Sequence, residues 1–260
     1  MAIIIGLDAG HGGNSSGTYS IDSTKDGLFE KDYCLDLVKR VGKILTDYGV
    51  KVIYTRTTDI NVGEGYKDGA VTKRALMCVE AKCNYAVSIH FNGFENESAN
   101  GCEVYVPYAE KGAGIEAGYS KYLGKFFKLR APFARANNYY SRNEVYDKKL
   151  NVSTRKFENY KNGTDYFGFI RTCWKNGISA DLLEVCFLTN RKDFDTYTKN
   201  TDAIAEAIAR SILEGYKIEW KEEAPKEPEA EKGKFYIYFE DRAKAENFAK
   251  SVGAVVDNRG

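Results

Sequence analysis

The sequence predicts an α/β fold, in which a mostly parallel sheet carries helices on both faces. Short apolar runs rich in β-branched residues alternate along the chain with longer segments whose apolar residues recur every three to four positions. Strands that alternate with helices in this way predict a parallel sheet, because each parallel connection needs a crossover. With 43% hydrophobic and 29% charged residues, the chain has enough apolar side chains for one sizeable core.

The first five predicted elements alternate between strand and helix. Residues 3–8 form a short β-branched run that predicts a buried strand, followed by a glycine-rich loop. Apolar residues at helical spacing predict a helix over residues 30–48, and Gly49 directly after it is typical of a helix C-cap. The same patterns predict a strand, a helix and a strand over residues 50–55, 72–82 and 85–90.

The second half of the main region is less regular. Residues 101–106 predict a strand, and residues 114–129 predict a helix that contains glycines. The region 130–172 is rich in Asn, Tyr, Arg and Lys with weak periodicity, so it predicts only loops and short elements. Residues 178–188 predict a long buried strand, and residues 201–216 predict a helix with one isoleucine stripe.

A charged segment divides the chain. Residues 219–232 contain six glutamates, three lysines and two of the four prolines, which is typical of a solvated linker. We therefore predict a main domain over residues 1–217, a linker over 218–232 and a small segment over 233–260 with a strand-helix-strand pattern. A unit of about 30 residues is too small to be stable alone, so this segment is expected to pair or to belong to a larger module.

Composition excludes several classes of protein. The 38 basic and 37 acidic residues leave a formal charge of +1, which argues against a nucleic-acid partner. No apolar run approaches the roughly 18 to 20 residues that a membrane span needs. The N-terminus lacks a basic region and a long apolar stretch, so we expect synthesis in the cytoplasm without a signal peptide. The six irregularly spaced cysteines are expected to be reduced, mostly buried thiols.

Three candidate metal ligands lie where a parallel sheet builds its sites. His11 follows the first strand and His90 ends another, and these are the only two histidines in the chain. Both converge if their strands are neighbours, because ligands bind outside the carboxyl ends of the strands. Glu30 opens the first helix on the same face as Cys34 and Val38, so its carboxylate is expected to point toward the sheet.

Each of these residues also has an ordinary interpretation. His11 could be a loop histidine, His90 a hydrogen-bonded strand-end histidine and Glu30 a carboxylate at a helix N-terminus. Taken together they favour a metal, because a buried carboxylate is costly unless it is paired. Two histidines and a glutamate, with a fourth position left to water, are typical of a hydrolytic zinc centre.

Glu184 is a second candidate for the chemistry. It lies inside the predicted strand 178–188 with apolar residues on both sides, so it needs a partner or a function. A carboxylate beside a metal-bound water takes its proton and hands it to a leaving amine. The alternative is a structural salt bridge to one of three arginines, Arg56, Arg74 or Arg155.

Four motifs together resemble the signatures of zinc-dependent N-acetylmuramoyl-L-alanine amidases, which occur as bacterial autolysins and phage endolysins. In chain order they are Asp8-Ala9-Gly10-His11-Gly12-Gly13, Glu30 at a helix start, Ser88-Ile89-His90-Phe91-Asn92 and Glu184-Val185-Cys186-Phe187-Leu188-Thr189-Asn190. The resemblance spans residues 1 to about 217. It implies that His11, Glu30 and His90 bind Zn²⁺, that Glu184 is the catalytic glutamate, and that the sheet is twisted and six-stranded.

The resemblance also implies a substrate and a place of action. The substrate is peptidoglycan, cut at the amide between the lactyl group of N-acetylmuramic acid and the L-alanine of the stem peptide. An enzyme without a signal peptide would reach the wall after holin-type release or cell lysis. The stretch between His90 and Glu184 is longer than is usual for the family, which leaves substrate contacts there, including Arg155, unassigned. Residues 233–260 weakly resemble a glycan-binding repeat; a fragment of an unrelated wall-binding or dimerisation domain is the alternative.

Two other functions are compatible with the sequence. A zinc peptidase that cuts within the stem or cross-bridge peptide would use the same chemistry. A non-catalytic wall-binding protein would need a degenerate site, and the intact ligand set argues against it. The sequence makes no prediction about the oligomeric state.

Overall fold

A five-stranded sheet with helices on both faces organises the computed structural model, which describes residues 2–67, 69–107, 114–130, 165 and 167–221. The strands are β1 (Ile4–Ala9), β2 (Lys51–Tyr54), β3 (Tyr85–Asn92), β4 (Glu103–Tyr105) and β5 (Ser179–Phe187). The helices in these ranges are α1 (Ser23–Asp26), α2 (Glu30–Asp47), α3 (Ala70–Glu80), α4 (Ile115–Leu123), α5 (Gly168–Lys175), α6 (Arg191–Lys199) and α7 (Thr201–Gly215).

The strand order is β2-β1-β3-β5-β4. The first four strands in this order pair in parallel, and β4 pairs antiparallel with β5 at one edge. The predicted α/β class with a mostly parallel sheet is therefore confirmed. The sixth strand that the family resemblance implies is not among the described residues.

The two faces of the sheet have different partners. Helices α2, α4, α6 and α7 pack on one side, which we call the apolar face, and α3 and α5 pack on the other, which we call the site face. In β1, Ile5, Leu7 and Ala9 point toward the apolar face, whereas the residues between them point toward the site face. At Gly6 a Cβ would lie 2.6 Å from Cys78 Sγ, so a glycine is needed for α3 to pack closely on β1.

Most predicted elements agree with the structure to within a few residues, but one helix is shorter than predicted. The helix predicted over 114–129 ends at Leu123. The backbone then leaves the helix, because Cys102 donates to the Lys128 carbonyl and Arg130 donates to the Cys102 carbonyl. These two bonds place Leu129 beside β4 as an isolated bridge instead of in a helical turn.

Three of the described helices have no counterpart in the sequence prediction. Helix α5 begins within the region 130–172, which predicts only loops and short elements, and α1 is a single turn. Helix α6 lies between the last strand and last helix of the prediction. Its Asn190 side chain accepts from the Asp193 backbone N–H, and its Phe194 and Tyr197 side chains are buried. The N-cap and these two apolar residues were the available signals.

The folded part continues slightly beyond the predicted boundary at residue 217. Ile218 and Trp220 pack against the core, and the Trp220 ring stacks on Tyr48 with 5.4 Å between centroids. The division into domain, linker and C-terminal segment stays a prediction, since residues 222–260 lie outside the described residues. All six cysteines are buried and free, as predicted. Searched over the described residues, no helix combines the length and hydropathy that a membrane span requires.

Candidate active site

His11, Glu30 and His90 meet at the carboxyl edge of the sheet. Glu30 Oε1 lies 3.1 Å from His11 Nε2 and 2.9 Å from His90 Nδ1. The two imidazole rings are nearly perpendicular, with 4.9 Å between centroids. The three ligand atoms lie within 4.8 Å of one another. The structure therefore brings together all three residues that the sequence singled out as metal ligands.

Strand pairing places the two histidines. β1 and β3 are neighbours, with Ala9 beside Ile89, so the residues that follow both positions emerge at one edge. His11 has a φ of 59°, in the left-handed region, which turns the chain sharply after β1. A Cβ at Gly10 would lie 2.4 Å from His90 Cε1, so only glycine lets the loop pass this close to the second histidine.

Hydrogen bonds hold Glu30 in place at the first turn of α2. Its Oε1 accepts from the Phe91 backbone N–H at 3.1 Å, and its Oε2 accepts from the Thr18 backbone N–H at 2.9 Å. The Glu30 backbone N–H in turn donates to the Thr18 carbonyl at 2.9 Å. Glu30 as a whole residue is 4% exposed. The inward orientation expected from its helix face is therefore observed.

The charges in the cluster depend on one another. Burial by itself raises the pKa of Glu30, but the hydrogen bonds to His11 and His90 outweigh burial and hold this pKa well below its usual range. Burial lowers the pKa of His90, and the hydrogen bond and charge of Glu30 raise it to about 9 overall. Glu30 is therefore an anion that both imidazoles face, as a cation requires, whereas His90 must release its proton when a metal binds.

The donor set fits a tetrahedral metal such as zinc. Ligand atoms bound tetrahedrally at about 2.0–2.1 Å lie about 3.3 Å apart. The two nitrogen-to-Oε1 distances, 3.1 and 2.9 Å, are close to that value. His11 Nδ1 lies 3.1 Å from Ser15 Oγ, and such a contact to the second nitrogen orients a ligating histidine.

Glu184 lies beside this cluster. In the parallel β3–β5 pair Glu184 is in register with His90, and in the antiparallel β4–β5 pair it is opposite Glu103. Its Oε2 is buried and has no hydrogen-bond partner among the described residues. Burial raises the pKa of Glu184 to about 8; the charge of His90 opposes this rise, and the charges of Glu30 and Glu103 add to it.

The neighbouring glutamate is engaged elsewhere. Glu103 Oε1 pairs with Arg130 Nε at 2.6 Å, and its Oε2 accepts from Asn92 Nδ2 at 3.1 Å and from the Tyr105 hydroxyl at 2.9 Å. Both of its oxygens are therefore paired. Of the two adjacent carboxylates, Glu184 is the one with an oxygen free for chemistry.

Two of the three arginines considered as salt-bridge partners of Glu184, Arg56 and Arg74, are among the described residues. Arg74 pairs with Asp8 at 2.8 Å, and Arg56 donates to backbone carbonyls. Among the described ion pairs, neither arginine contacts Glu184. Arg155, the third candidate, lies outside the described residues.

A buried polar network under the site was not predicted as such. Burial by itself raises the pKa of Asp8. The charge of Arg74 and the hydrogen bonds from Ser88 and Thr55 together outweigh burial, so the pKa of Asp8 lies below its usual value. Arg74 also donates to the carbonyl oxygens of Ala9 and His11. The signal in the sequence was Asp8 itself, a carboxylate at the end of a strand of β-branched and apolar residues.

A cavity of about 470 Å³ opens on the site face next to the cluster. His11, His90 and Glu184 are among its polar lining residues. Val71, Phe167 and Leu182 contribute to its apolar wall. A buried carboxylate and a metal-ligand cluster that share one cavity are typical of metal-dependent hydrolases, because one group activates water and the other moves its proton.

The chain belongs to the N-acetylmuramoyl-L-alanine amidase family, whose sequence profile matches residues 5–214. This match confirms the family resemblance of the four motifs. It includes all four predicted site residues and ends within α7.

Two curated relatives are similar over part of the chain. An endolysin of Bacillus phage SPP1 is 36% identical over 106 residues, which are 40% of this chain and 34% of that protein. A probable cell wall amidase, LytH, of Staphylococcus aureus is 36% identical over 99 residues, which are 38% of this chain and 29% of that protein. The matched region thus spans about a third of the length of these relatives.

Solved structures share the fold. Cwp6 from Clostridium difficile superposes with a TM-score of 0.62 at 25% identity, covering 84% of this chain and 30% of that chain. The N-acetylmuramoyl-L-alanine amidase AmiC2 of Nostoc punctiforme superposes with a TM-score of 0.56 at 25% identity, covering 82% of this chain and 96% of that chain. The α/β architecture is therefore that of amidase catalytic domains.

Proposed function

We propose that this protein is a zinc-dependent N-acetylmuramoyl-L-alanine amidase that hydrolyses the amide between N-acetylmuramic acid and the L-alanine of the peptidoglycan stem peptide. The observation that carries the proposal is the His11–Glu30–His90 cluster with the unpaired Glu184 oxygen beside it. Family membership and the names of the endolysin and LytH relatives support the choice of substrate.

The ligand roles follow from the donor atoms. His11 Nε2, His90 Nδ1 and a Glu30 carboxylate oxygen would hold Zn²⁺, leaving a fourth position open as catalytic sites require. When bound, Zn²⁺ supplies a Lewis acid that polarises the scissile carbonyl and lowers the pKa of water to about 7. Glu30 contributes the negative charge that offsets the dication, and its two backbone hydrogen bonds keep it oriented.

Glu184 would move the proton. Its buried Oε2 has no competing hydrogen-bond partner among the described residues, and its strand is in register with His90. From this position the carboxylate takes a proton from the attacking water and donates it to the leaving amine of L-alanine. The cavity of about 470 Å³ beside Glu184 is where the scissile amide would lie.

The route to the substrate is part of the proposal. One relative is named as an endolysin of a Bacillus phage. We propose that this enzyme acts on the cell wall after release through a holin-type pore or upon lysis. Its partner is then peptidoglycan, with no role for nucleic acid.

Analysis of digestion products tests the function. Purified peptidoglycan is incubated with the zinc-loaded protein, and new amino groups are labelled and identified. An amidase exposes new L-alanine amines and leaves the glycan intact, whereas a peptidase exposes the amine of a different residue. A wall-binding protein would release no amines at all. New amines on any residue other than L-alanine would replace the amidase proposal with the peptidase alternative.

Removal of the metal tests the cofactor separately. Treatment with a chelator should abolish release of L-alanine amines, and added zinc should restore it, because no other described group offers the same Lewis acid. Elemental analysis of the active preparation should find one zinc per chain. Full activity in protein shown to be metal-free would overturn the zinc assignment but not the amidase activity.

A further inference from the structure

His11 and Glu30 belong to separate segments that must be held together for a metal to bind. His11 lies in the loop after β1, and Glu30 is the first residue of α2. Both segments contact residues 56–59, which begin two residues after the end of the edge strand β2 and are not among the proposed ligands. The contacts come from two side chains, Arg56 and Asp59.

Arg56 bonds to both segments with one guanidinium group. Its Nε donates to the Ala9 carbonyl at 2.9 Å, and its Nη2 donates to the Gly10 carbonyl at 2.8 Å and to the Lys31 carbonyl at 2.6 Å. These carbonyls belong to the two residues before His11 and the residue after Glu30. Arg56 is 3% exposed, and its planar group fixes the relative positions of its acceptors.

Asp59 makes the matching contacts on the other side of His11. Its Oδ1 accepts from the Gly13 backbone N–H at 2.7 Å, and its Oδ2 accepts from Lys31 Nζ at 2.6 Å. Lys31 Nζ also donates to the Gly13 carbonyl at 3.0 Å. Arg56 and Asp59 therefore connect the chain on both sides of His11 to Lys31, the residue that follows Glu30.

We propose that residues 56–59, through Arg56 and Asp59, set the separation of His11 and Glu30 and thereby the affinity of the site for zinc. Neither side chain is a ligand; both are positioning residues. A guanidinium cation near a dication opposes binding by Coulomb repulsion, so a favourable effect of Arg56 acts through geometry. This inference rests on the proposed zinc site.

Zinc affinity tests the inference directly. The dissociation constant is measured by competition with a chromophoric chelator for the wild type and for Arg56→Lys, Asp59→Ala and Arg40→Lys. Arg56→Lys keeps the charge but removes the planar group, and we expect affinity about 10- to 100-fold weaker, as for other groups that orient metal ligands. Asp59→Ala should weaken binding by a smaller factor, because its side chain is 45% exposed. Arg40→Lys is the matched control, since Arg40 pairs with Asp36 and Asp202 outside the site.

A second readout separates positioning from general stability. Cobalt is substituted for zinc, and its visible absorption spectrum reports the coordination of the metal. A positioning role predicts an altered spectrum in Arg56→Lys at temperatures where the metal-free variant is fully folded by circular dichroism. A merely structural role predicts a lower unfolding temperature with an unchanged spectrum and dissociation constant.

Each outcome decides the question. Wild-type zinc affinity in both Arg56→Lys and Asp59→Ala would overturn the inference while leaving the proposed function intact. If Arg56→Lys does not fold, the exposed Asp59→Ala variant decides alone. If the wild-type protein itself binds no zinc, the zinc site of the proposed function fails, and this inference fails with it.

Discussion

The two faces of the sheet use the same strands for different purposes. On the apolar face, β1 presents Ile5, Leu7 and Ala9 to α2, and all three are fully buried among aliphatic and aromatic side chains. On the site face, the same strand presents Gly6 and Asp8, and Gly10, which follows the strand, passes close to His90. Because side chains alternate along a strand, β1 contributes to the apolar core on one face and to the candidate site on the other.

The packing on the two sides differs accordingly. The apolar face contributes to one large core that includes α2, α4, α6 and α7. The site face has two smaller apolar clusters around α3 and α5. It also carries the buried Asp8–Arg74 pair and the cavity. Buried charged groups on the site face take space that apolar side chains would otherwise fill. The apolar face must therefore supply more of the free energy of unfolding. Substitutions on the site face should then change activity, stability or both, whereas substitutions on the apolar face should change stability alone.

The largest effect is expected on the site face at Glu184. Glu184→Gln preserves size and removes the basic oxygen, so activity should fall about 10²- to 10⁴-fold. Zinc should remain bound at near one equivalent, because Glu184 is not among the three proposed ligands. Initial rates of L-alanine amine release and elemental analysis are the measurements.

Glu80→Gln is the control for this substitution, since Glu80 is exposed at the end of α3. It should leave both activity and zinc content unchanged. Loss of zinc from Glu184→Gln would make Glu184 a ligand and contradict the three-ligand assignment. Near wild-type activity would place the general base elsewhere.

The next largest effect is expected at Asp8, where the site face carries its buried ion pair. Asp8→Asn leaves Arg74 buried without its carboxylate, which typically costs about 3–5 kcal/mol of unfolding free energy. Urea denaturation at pH 7 measures this loss. A loss below about 1 kcal/mol would show that Arg74 finds enough compensation from the backbone carbonyls it already contacts.

The pH dependence of stability provides the control for Asp8. The folded-state pKa of Asp8 is lowered, so its stabilisation is fully present above the unfolded pKa of about 3.9 and is lost as the pH falls through the folded value. Stability of the wild type should therefore decrease below about pH 4 more steeply than that of Asp8→Asn. Parallel curves for the two proteins would contradict this assignment.

A comparable stability loss without a functional loss is expected on the apolar face. Ile208 lies in α7 and is fully buried. Ile208→Ala should lower the unfolding free energy by about 2–5 kcal/mol through lost burial and a cavity. The turnover number and the zinc dissociation constant should stay unchanged under conditions where the variant is folded. A large change in either would show that the two faces are coupled.

The smallest effect is expected at the cap of α6, away from both the cavity and the centre of the core. Asn190→Ala removes the side-chain bond to the Asp193 N–H and should cost about 1 kcal/mol. Thermal unfolding measures the shift, and Asn190→Ser, which retains capping ability, should restore most of it. If Ser and Ala are equally destabilising, the bond from Asn190 to the Glu97 carbonyl matters more than the cap.

Much of the candidate site could be predicted from local sequence. His11 and His90 stand out because they are the only histidines, and Glu30 and Glu184 stand out because each is a carboxylate in an apolar pattern. Burial of a charge is costly enough that such a residue nearly always has a partner or a function. The strands of the main region were predicted for a similar reason, since continuous β-branched runs favour burial in a sheet.

Other features depend on contacts between distant segments. Helix α6 has only nine residues, so its N-cap and apolar residues form a short sequence pattern. The helix predicted to continue beyond Leu123 ends there because the following backbone bonds to Cys102, a contact that local propensity does not encode. The contacts of Arg56 with Ala9, Gly10 and Lys31 likewise join three segments that are separate in the sequence.

By itself, the sequence determined the alternation of strands and helices, the four residues of the candidate site and the family. The alternation follows from periodicity and the site residues from side-chain chemistry, which are local properties, whereas the family follows from the resemblance of four motifs to its signatures. Only the tertiary structure decided the strand order β2-β1-β3-β5-β4 and the register that sets Glu184 beside His90. Register depends on which strands pair over long distances in the chain, and that choice is made by the packing of both faces together.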